Sequence, residues 1–387
     1  MRRLALALAL LAGTALGAGC DLLAPAAPRA AVETTAAQRV PPATAPAGAK
    51  PQQPAPTTAA PSAQPATPAA EATPAAPARA TPAPAAQRQA ATLSGPRLKV
   101  VATFSILGDL VRTVGGERLD LRVLVGPESD THTFEPSPAD VAALAEATLV
   151  FENGLGFEPW LDKLYASARS RARRVVVTVG LPSPIPATDG DHGGGDKPDR
   201  DQAEQSAHGE FDPHVWHDAQ NAMHMVRAIR DALAQADPAN AATHRANAER
   251  YLAELEALDA WIIQRVATLP AARRKLVTAH DTFAYFARRY GSAIVGTALG
   301  SFTTETADPS AARIVELVRE IRAAGVPAIF AENVSNPRLM QRIAAEAGVA
   351  LVPDLYTDAL GKPNSPGDTY VKVIRSNVEK IVTALSR

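Results

Sequence analysis

The chain has 387 residues, one cysteine, 20% charged and 5% aromatic residues, and a formal net charge of −1. A single cysteine rules out disulfides within one molecule, and a near-neutral balance with no basic patch or interleaved aromatics speaks against nucleic acid as a partner. Once an N-terminal quarter of different composition is set aside, the remaining length allows two domains.

Residues 1–20 read as a secretory signal peptide: Arg2 and Arg3 make a basic start, Leu4 to Leu11 are wholly apolar, and small residues lead to Cys20. The apolar run is too short to span a bilayer. The setting of Cys20 is that of targeting rather than of a core, and it is similar to a bacterial lipoprotein cleavage site, where the cysteine becomes the lipid-bearing first residue. The usual leucine three residues earlier is Gly17 here, with Leu16 one place further back. Residues 21–95 hold 15 prolines, 28 alanines and no aromatic residue, too little apolar bulk to offset ordering entropy, and predict a disordered tether. In a polyproline conformation of about 3.1 Å per residue it would reach more than roughly 100 Å.

From residue 97 onward, short β-branched runs alternate with helical patterns. KVVATFS (99–105), LRVLV (121–125), TLVFENG (148–154) and RVVVTVG (174–180) read as strands, and SPADVAALAEA as a helix with Ser137 as its cap and Pro138 in its first turn. After residue 270 the pattern returns with KLVTAH (275–280), AIVGTALG (293–300), PAIFAEN (327–333) and ALVPDL (350–355). Asp308 with Pro309 opens a helix that Gly325 closes, and Asn336 with Pro337 opens one that Gly348 closes. Between the halves, residues 238–269 place Tyr251, Leu252, Leu255, Leu258, Trp261, Ile262 and Val266 at three- and four-residue intervals, predicting one helix roughly 40 Å long. A coiled-coil dimer is the alternative for this stripe. The fold class expected is α/β: an N-terminal lobe (97–235) and a C-terminal lobe (270–387), each with its own core and a mainly parallel sheet flanked by helices, joined by one long rigid backbone helix (238–269).

Three of the eight histidines occupy positions where an α/β sheet collects ligands, in the loops beyond strand carboxyl ends. His132 lies in GPESDTHTFEPSPAD after LRVLV, His214 in FDPHVWHDAQN after the fourth strand and a polar loop, and His280 ends KLVTAH. A lone histidine there is more often a hydrogen-bonded structural residue than a ligand. Together with Asp358 in DLYTDALG, however, the three can close a tetrahedral shell around zinc with no open position for an activated water, which favours binding over catalysis. Manganese would favour a site richer in oxygen.

The segments PESDTHTFEPSPAD, FDPHVWHDAQN, TAHDTFAYFARRYG and LYTDALG, in this order, resemble the zinc- and manganese-binding lipoproteins that serve as solute receptors of bacterial ABC importers. The resemblance covers residues 97–387. It implies a two-lobed fold braced by a rigid helix, a divalent metal between the lobes as transported cargo, an ABC permease as partner, a monomer anchored by lipid to the outer face of the cell membrane, and no enzymatic activity. His132, His214 and Asp358 fall on ligand positions of the family and His280 on the discriminating third position, where histidine resembles zinc-type members and glutamate the manganese specialists.

His217 and Ala219 stand where the second motif usually has leucine and proline. Three residues from His214, His217 is expected outside the shell, with a role as alternative ligand left open. The loop 184–211 carries only His192 and His208 among seven acidic residues and five glycines, which reads as a solvated acidic loop rather than a zinc reservoir. Glu128, Asp130 and Glu135 beside His132 invite reading as the acid/base group of a zinc hydrolase. Turn formation by Asp130, a helix-start role for Glu135 and a hydrogen bond from either to a ligand imidazole are the simpler alternatives. A surface adhesin presented on the tether remains compatible with the same sequence.

Overall fold

The structure, a computed structural model, describes residues 95–187, 209–305 and 309–387; Cys20, the signal, nearly all of the tether, His192, His208 and Asp308 lie outside them. Strand β1 (Leu98–Phe104, LKVVATF) is buried on both faces from Val100 onward, the pattern of a central strand in a parallel sheet. It sits between β2 (Leu119–Val125) and β3 (Leu149–Glu152), with β4 (Arg173–Val176) at the edge, giving the order β2-β1-β3-β4 with every pair parallel. Parallel pairing requires crossovers, supplied by α1 (Ser105–Gly115), α2 (Pro138–Glu146) and α3 (Leu161–Ser167). Ser137 caps α2 as expected: the Asp140 carboxylate, one turn in, accepts from the Ser137 backbone N–H at 3.0 Å and from its hydroxyl at 2.7 Å.

The helix α4 (Ala219–Ala236) was not anticipated. Asp218 starts it, accepting a hydrogen bond from the Gln220 N–H at 2.8 Å, and Ala222, Met225, Val226, Ile229 and Leu233 form its buried face. After a 3-10 turn at Pro238–Asn240 the chain enters α5 (Ala241–Ala267), the long helix that the periodicity predicts. Leu255, Leu258 and Ile262 on it have no exposure at all. Trp261 is half-buried, with the Arg375 guanidinium 4.6 Å above its ring.

In the C-terminal lobe β5 (Lys275–Thr278) pairs in parallel with β6 (Ala293–Thr297), and β7 (Ala328–Glu332) with β8 (Ala350–Leu355). Helices α6 (Ala284–Tyr290), α7 (Ala311–Ala324), α8 (Arg338–Ala347) and α9 (Tyr370–Leu385) flank them. Ser310 caps α7 through the Arg313 N–H, and Gly325 and Gly348 close α7 and α8 in the left-handed conformation, at φ of 64° and 76°.

The expectation of a separate core in each lobe is corrected. One hydrophobic core runs from Phe104, Leu110 and Val226 in the N-terminal half, through Leu255, Leu258 and Ile262 of α5, to Leu276, Phe330 and Val378. Only the far sides of the sheets have cores of their own, one around Val101, Leu144 and Val150, the other around Val277, Leu317 and Ile329. The stripe on α5 packs against α1 and α4 as well as α9, so the apolar core is continuous along the helix. Burial of a leucine side chain is worth about 1.5–3 kcal/mol, and removing most of one adds a cavity term. Leu258→Ala should therefore cost about 2–5 kcal/mol in urea denaturation. A loss near that of a surface substitution would contradict the continuous core.

Candidate metal centre

Each of the four residues picked out by sequence is held by its own local device. His132 follows β2 in a turn in which Asp130 Oδ1 accepts the His132 backbone N–H at 2.9 Å, and the Trp160 indole donates to the Thr131 carbonyl at 2.9 Å. His214 precedes the 3-10 turn Val215–His217; Asn153 Nδ2 donates to the Pro213 carbonyl at 3.0 Å and the Tyr285 hydroxyl to the Asp212 carbonyl at 3.0 Å. His280 lies two residues beyond β5, where its backbone N–H and that of Ala279 both donate to Glu332 Oε1, at 3.0 and 2.8 Å.

Asp358 lies three residues beyond β8, on a segment of the C-terminal lobe that is fastened to the N-terminal one. The Trp216 indole donates to the Thr357 carbonyl at 2.9 Å, the Leu360 N–H to the Ser105 hydroxyl at 2.9 Å, and the Glu128 N–H to the Leu360 carbonyl at 2.9 Å. Beyond it the Tyr370 N–H reaches Asp109 Oδ2 at 2.8 Å and the Tyr370 hydroxyl the Trp216 carbonyl at 2.7 Å. The loop folds back tightly over Tyr356: a Cβ on Gly367 would stand 2.4 Å from that ring, a distance only glycine avoids.

These devices bring all four side chains together, with one potential ligand atom from each within 4.8 Å of the others. Exposure is 3% for His132 and 0% for His214, His280 and Asp358. Asp358 Oδ2 is 3.1 Å from His280 Nε2 and 3.5 Å from His132 Nε2, and its Oδ1 is 3.7 Å from His214 Nε2. The Nε2 atoms of the three histidines and both oxygens of Asp358 are buried without any hydrogen-bond partner. Phe157 edges onto His132 at 5.1 Å, Trp216 onto His214 at 5.4 Å, and Phe302 stacks over His214 at 6.4 Å, giving the cluster an apolar wall. His132 also borders a small recess with Leu155, Phe211, Pro213 and Phe302.

Two buried carboxylates stand behind the cluster. Asp212 Oδ1 lies 2.8 Å from His214 Nδ1, and Glu332 Oε2 lies 2.5 Å from His280 Nδ1. With Nδ1 of each ring set against a carboxylate, the Nε2 of each faces the centre. Burial pushes His214 down to about 3, so that ring is neutral, and pushes the Asp212 carboxyl up to about 7. For His280 burial also opposes charge, but Glu332 and Asp358 override it and hold its value well above the ordinary one. Asp358 goes the other way: despite burial, facing His280 and His214 holds it well below the usual carboxylate range. Positive charge is thus favoured on His280, which lies between Glu332 and Asp358.

Asp212 and Glu332 are the buried groups against the cluster that sequence reasoning missed. The acids it weighed do other things: Asp130 binds backbone and accepts the Thr304 hydroxyl, Glu128 pairs with Lys362 at 2.9 Å, and Glu135 is exposed. None of them touches a ligand ring. Asp212, two residues before His214, had a local signal in the Asp-Pro-His spacing; Glu332 had only its place at the end of an apolar strand. His217 is also buried, yet on a 3-10 turn rather than on a helix face with His214, and it stays outside the cluster. Its ring stacks on Phe283 at 4.4 Å and its Nε2 meets the Thr282 hydroxyl at 3.2 Å.

Residues 100–384 match the profile of the zinc-uptake complex component A (ZnuA) periplasmic family. The chain belongs to this family. Similar curated proteins include the manganese-binding lipoprotein MntA of Halalkalibacterium halodurans, 33% identical over 76% of this chain and 90% of that protein. The iron-binding protein YfeA of Yersinia pestis is 28% identical over 74% of this chain and 85% of its own. Among solved structures, the periplasmic zinc-binding protein TroA of Treponema pallidum superposes with a TM-score of 0.66 at 30% identity, covering 76% of this chain and all of TroA. The names of these relatives span three metals.

Burial holds His217 at about 3, against 6.5 for a free imidazole. The unfolded chain therefore takes up a proton below about pH 6.5 that the folded protein refuses until about pH 3, and stability falls as pH drops through that window. His217→Phe removes the effect. In chelator-treated protein, urea denaturation between pH 6.5 and 4 should show a shallower loss for the variant than for the wild type; parallel slopes would mean that His217 is charged in the fold.

Proposed function

We propose that this chain captures a divalent transition metal outside the cytoplasm through His132, His214, His280 and Asp358, with zinc as preferred cargo, and delivers it to an ABC permease. One observation carries this reading: five buried donor atoms face a common centre and none has a hydrogen-bond partner. Leaving a buried polar atom unpaired costs about 1–3 kcal/mol, so such a cluster persists where a ligand completes it. Zinc–nitrogen distances of about 2.0–2.1 Å put tetrahedral donors roughly 3.4 Å apart, and donors already within 4.8 Å need only small inward shifts.

The chain is a receptor and not an enzyme, as its family is. A hydrolase at this place would need an open coordination position and a base aimed at water, whereas four protein side chains are enough to fill a tetrahedral shell. Manganese is the second reading. It is favoured by the manganese-binding relative MntA and by Asp358, both of whose oxygens are free to bind and add the oxygen character that manganese prefers. The signal-like residues 1–20 and the lipoprotein relatives support an outward-facing location with Cys20 as the lipid anchor.

Binding must displace the proton held on His280, so affinity falls as pH falls. Metal-stripped protein titrated competitively with zinc and manganese, with elemental analysis of the protein as isolated, tests the assignment. His280→Ala should abolish tight zinc binding; an unchanged affinity would falsify the site.

A further inference from the structure

Glu332 places both oxygens on donors of one neighbouring segment. Its Oε1 accepts from the backbone N–H groups of Ala279 and His280, and its Oε2 lies against His280 Nδ1. The glutamate is 3% exposed and ends β7, whereas His280 follows β5, so the contact ties adjoining strands rather than one turn. Asp212, the other acid behind the cluster, leaves its Oδ2 unpaired and serves a histidine two residues away. Among the described residues the only ion pair of His132 is with Asp358. His280 is therefore the imidazole whose far side is most completely fixed.

We propose that Glu332 is a positioning residue for metal selectivity: it keeps the His280 proton on Nδ1 and reinforces Nε2 as a nitrogen donor, so that the site prefers zinc over manganese. This inference rests on the reading of the four residues as a metal site. A carboxylate accepting from the far nitrogen raises the basicity of an imidazole ligand. Late metals gain more from a strong nitrogen donor than manganese, which is served by oxygen.

Replacing the carboxylate by an amide makes the mechanism visible. Three donors converge on Glu332, and glutamine offers a single acceptor oxygen. If that oxygen serves the two backbone N–H groups, the amide nitrogen faces Nδ1, and the ring avoids a donor–donor clash only by moving its proton to Nε2. Nε2 is the atom 3.1 Å from Asp358, so the proton would then occupy the donor position. If the oxygen serves Nδ1, two backbone donors are left against an amide nitrogen and the turn carrying His280 loosens.

The test uses the metal-stripped full chain as wild type, Glu332→Gln and His280→Ala, each titrated with zinc and with manganese. Expected for Glu332→Gln is a zinc affinity lower by about 10–100-fold, with manganese reduced far less, so that the ratio of the two affinities changes. An equal loss for both metals would reduce Glu332 to a structural support and overturn the proposal, as would unchanged binding of both. If His280→Ala retains zinc affinity, the underlying site reading fails instead, so the two failures are distinguishable. Should Glu332→Gln not fold, Glu332→Asp is titrated with the same two metals: a lowered zinc-to-manganese affinity ratio supports the proposal, and an unchanged ratio overturns it.

Discussion

The carboxylate of Asp358, stripped of water and faced by three imidazoles, is the interaction on which the rest of the molecule depends. An ionised carboxylate in an apolar wall of Phe157, Trp216 and Phe302 is expensive unless positive charge stands beside it. Protonation of His280, favoured by Glu332 and Asp358, is one source of that charge. A divalent cation satisfies the same carboxylate and the three ring nitrogens at once. Affinity therefore arises from what the fold withholds, namely water and alternative hydrogen-bond partners, as much as from what it supplies.

Withholding water requires that the two halves of the chain not gape. The long helix α5 accomplishes this by lending one apolar stripe to both lobes, so that a single core passes through it. Opening the cleft widely would expose part of that core, at about 25 cal/mol for each Å² of apolar surface. Wide opening is thereby disfavoured, and a small recess bordered by His132 and Phe302 lies against the cluster.

Much of this was legible in the residues. The β-branched runs located the eight strands of the described residues; β1, β3, β5 and β7, buried along most of their length, carry near-continuous apolar side chains. The histidines and Asp358 were recognisable because each directly follows such a run or its loop, where strand ends converge. What escaped notice was set by contacts across long sequence distance. Glu332 supports a histidine 52 residues earlier, and nothing in PAIFAEN signals that. The continuous core was hidden for the same reason: an apolar stripe shows that a helix face is buried, but not that two lobes share it. The helix Ala219–Ala236, by contrast, carried a legible signal in its Asp218 cap and its buried three- and four-residue spacing, overshadowed by the histidines just before it.

The chain order assigns Asp358 to the C-terminal half, but the hydrogen bonds of its segment run to both halves. Thr357 and Leu360 on either side of it are bonded to Trp216 and Ser105, while Asn333, next to the glutamate behind His280, accepts from the Thr357 N–H and donates to the Ala359 carbonyl. Asp358 therefore sits on a seam, pinned from Trp216, two residues past His214, and from the neighbour of Glu332. A relative movement of the halves cannot leave this segment untouched, so the carboxylate registers at the centre of the cluster what either half does.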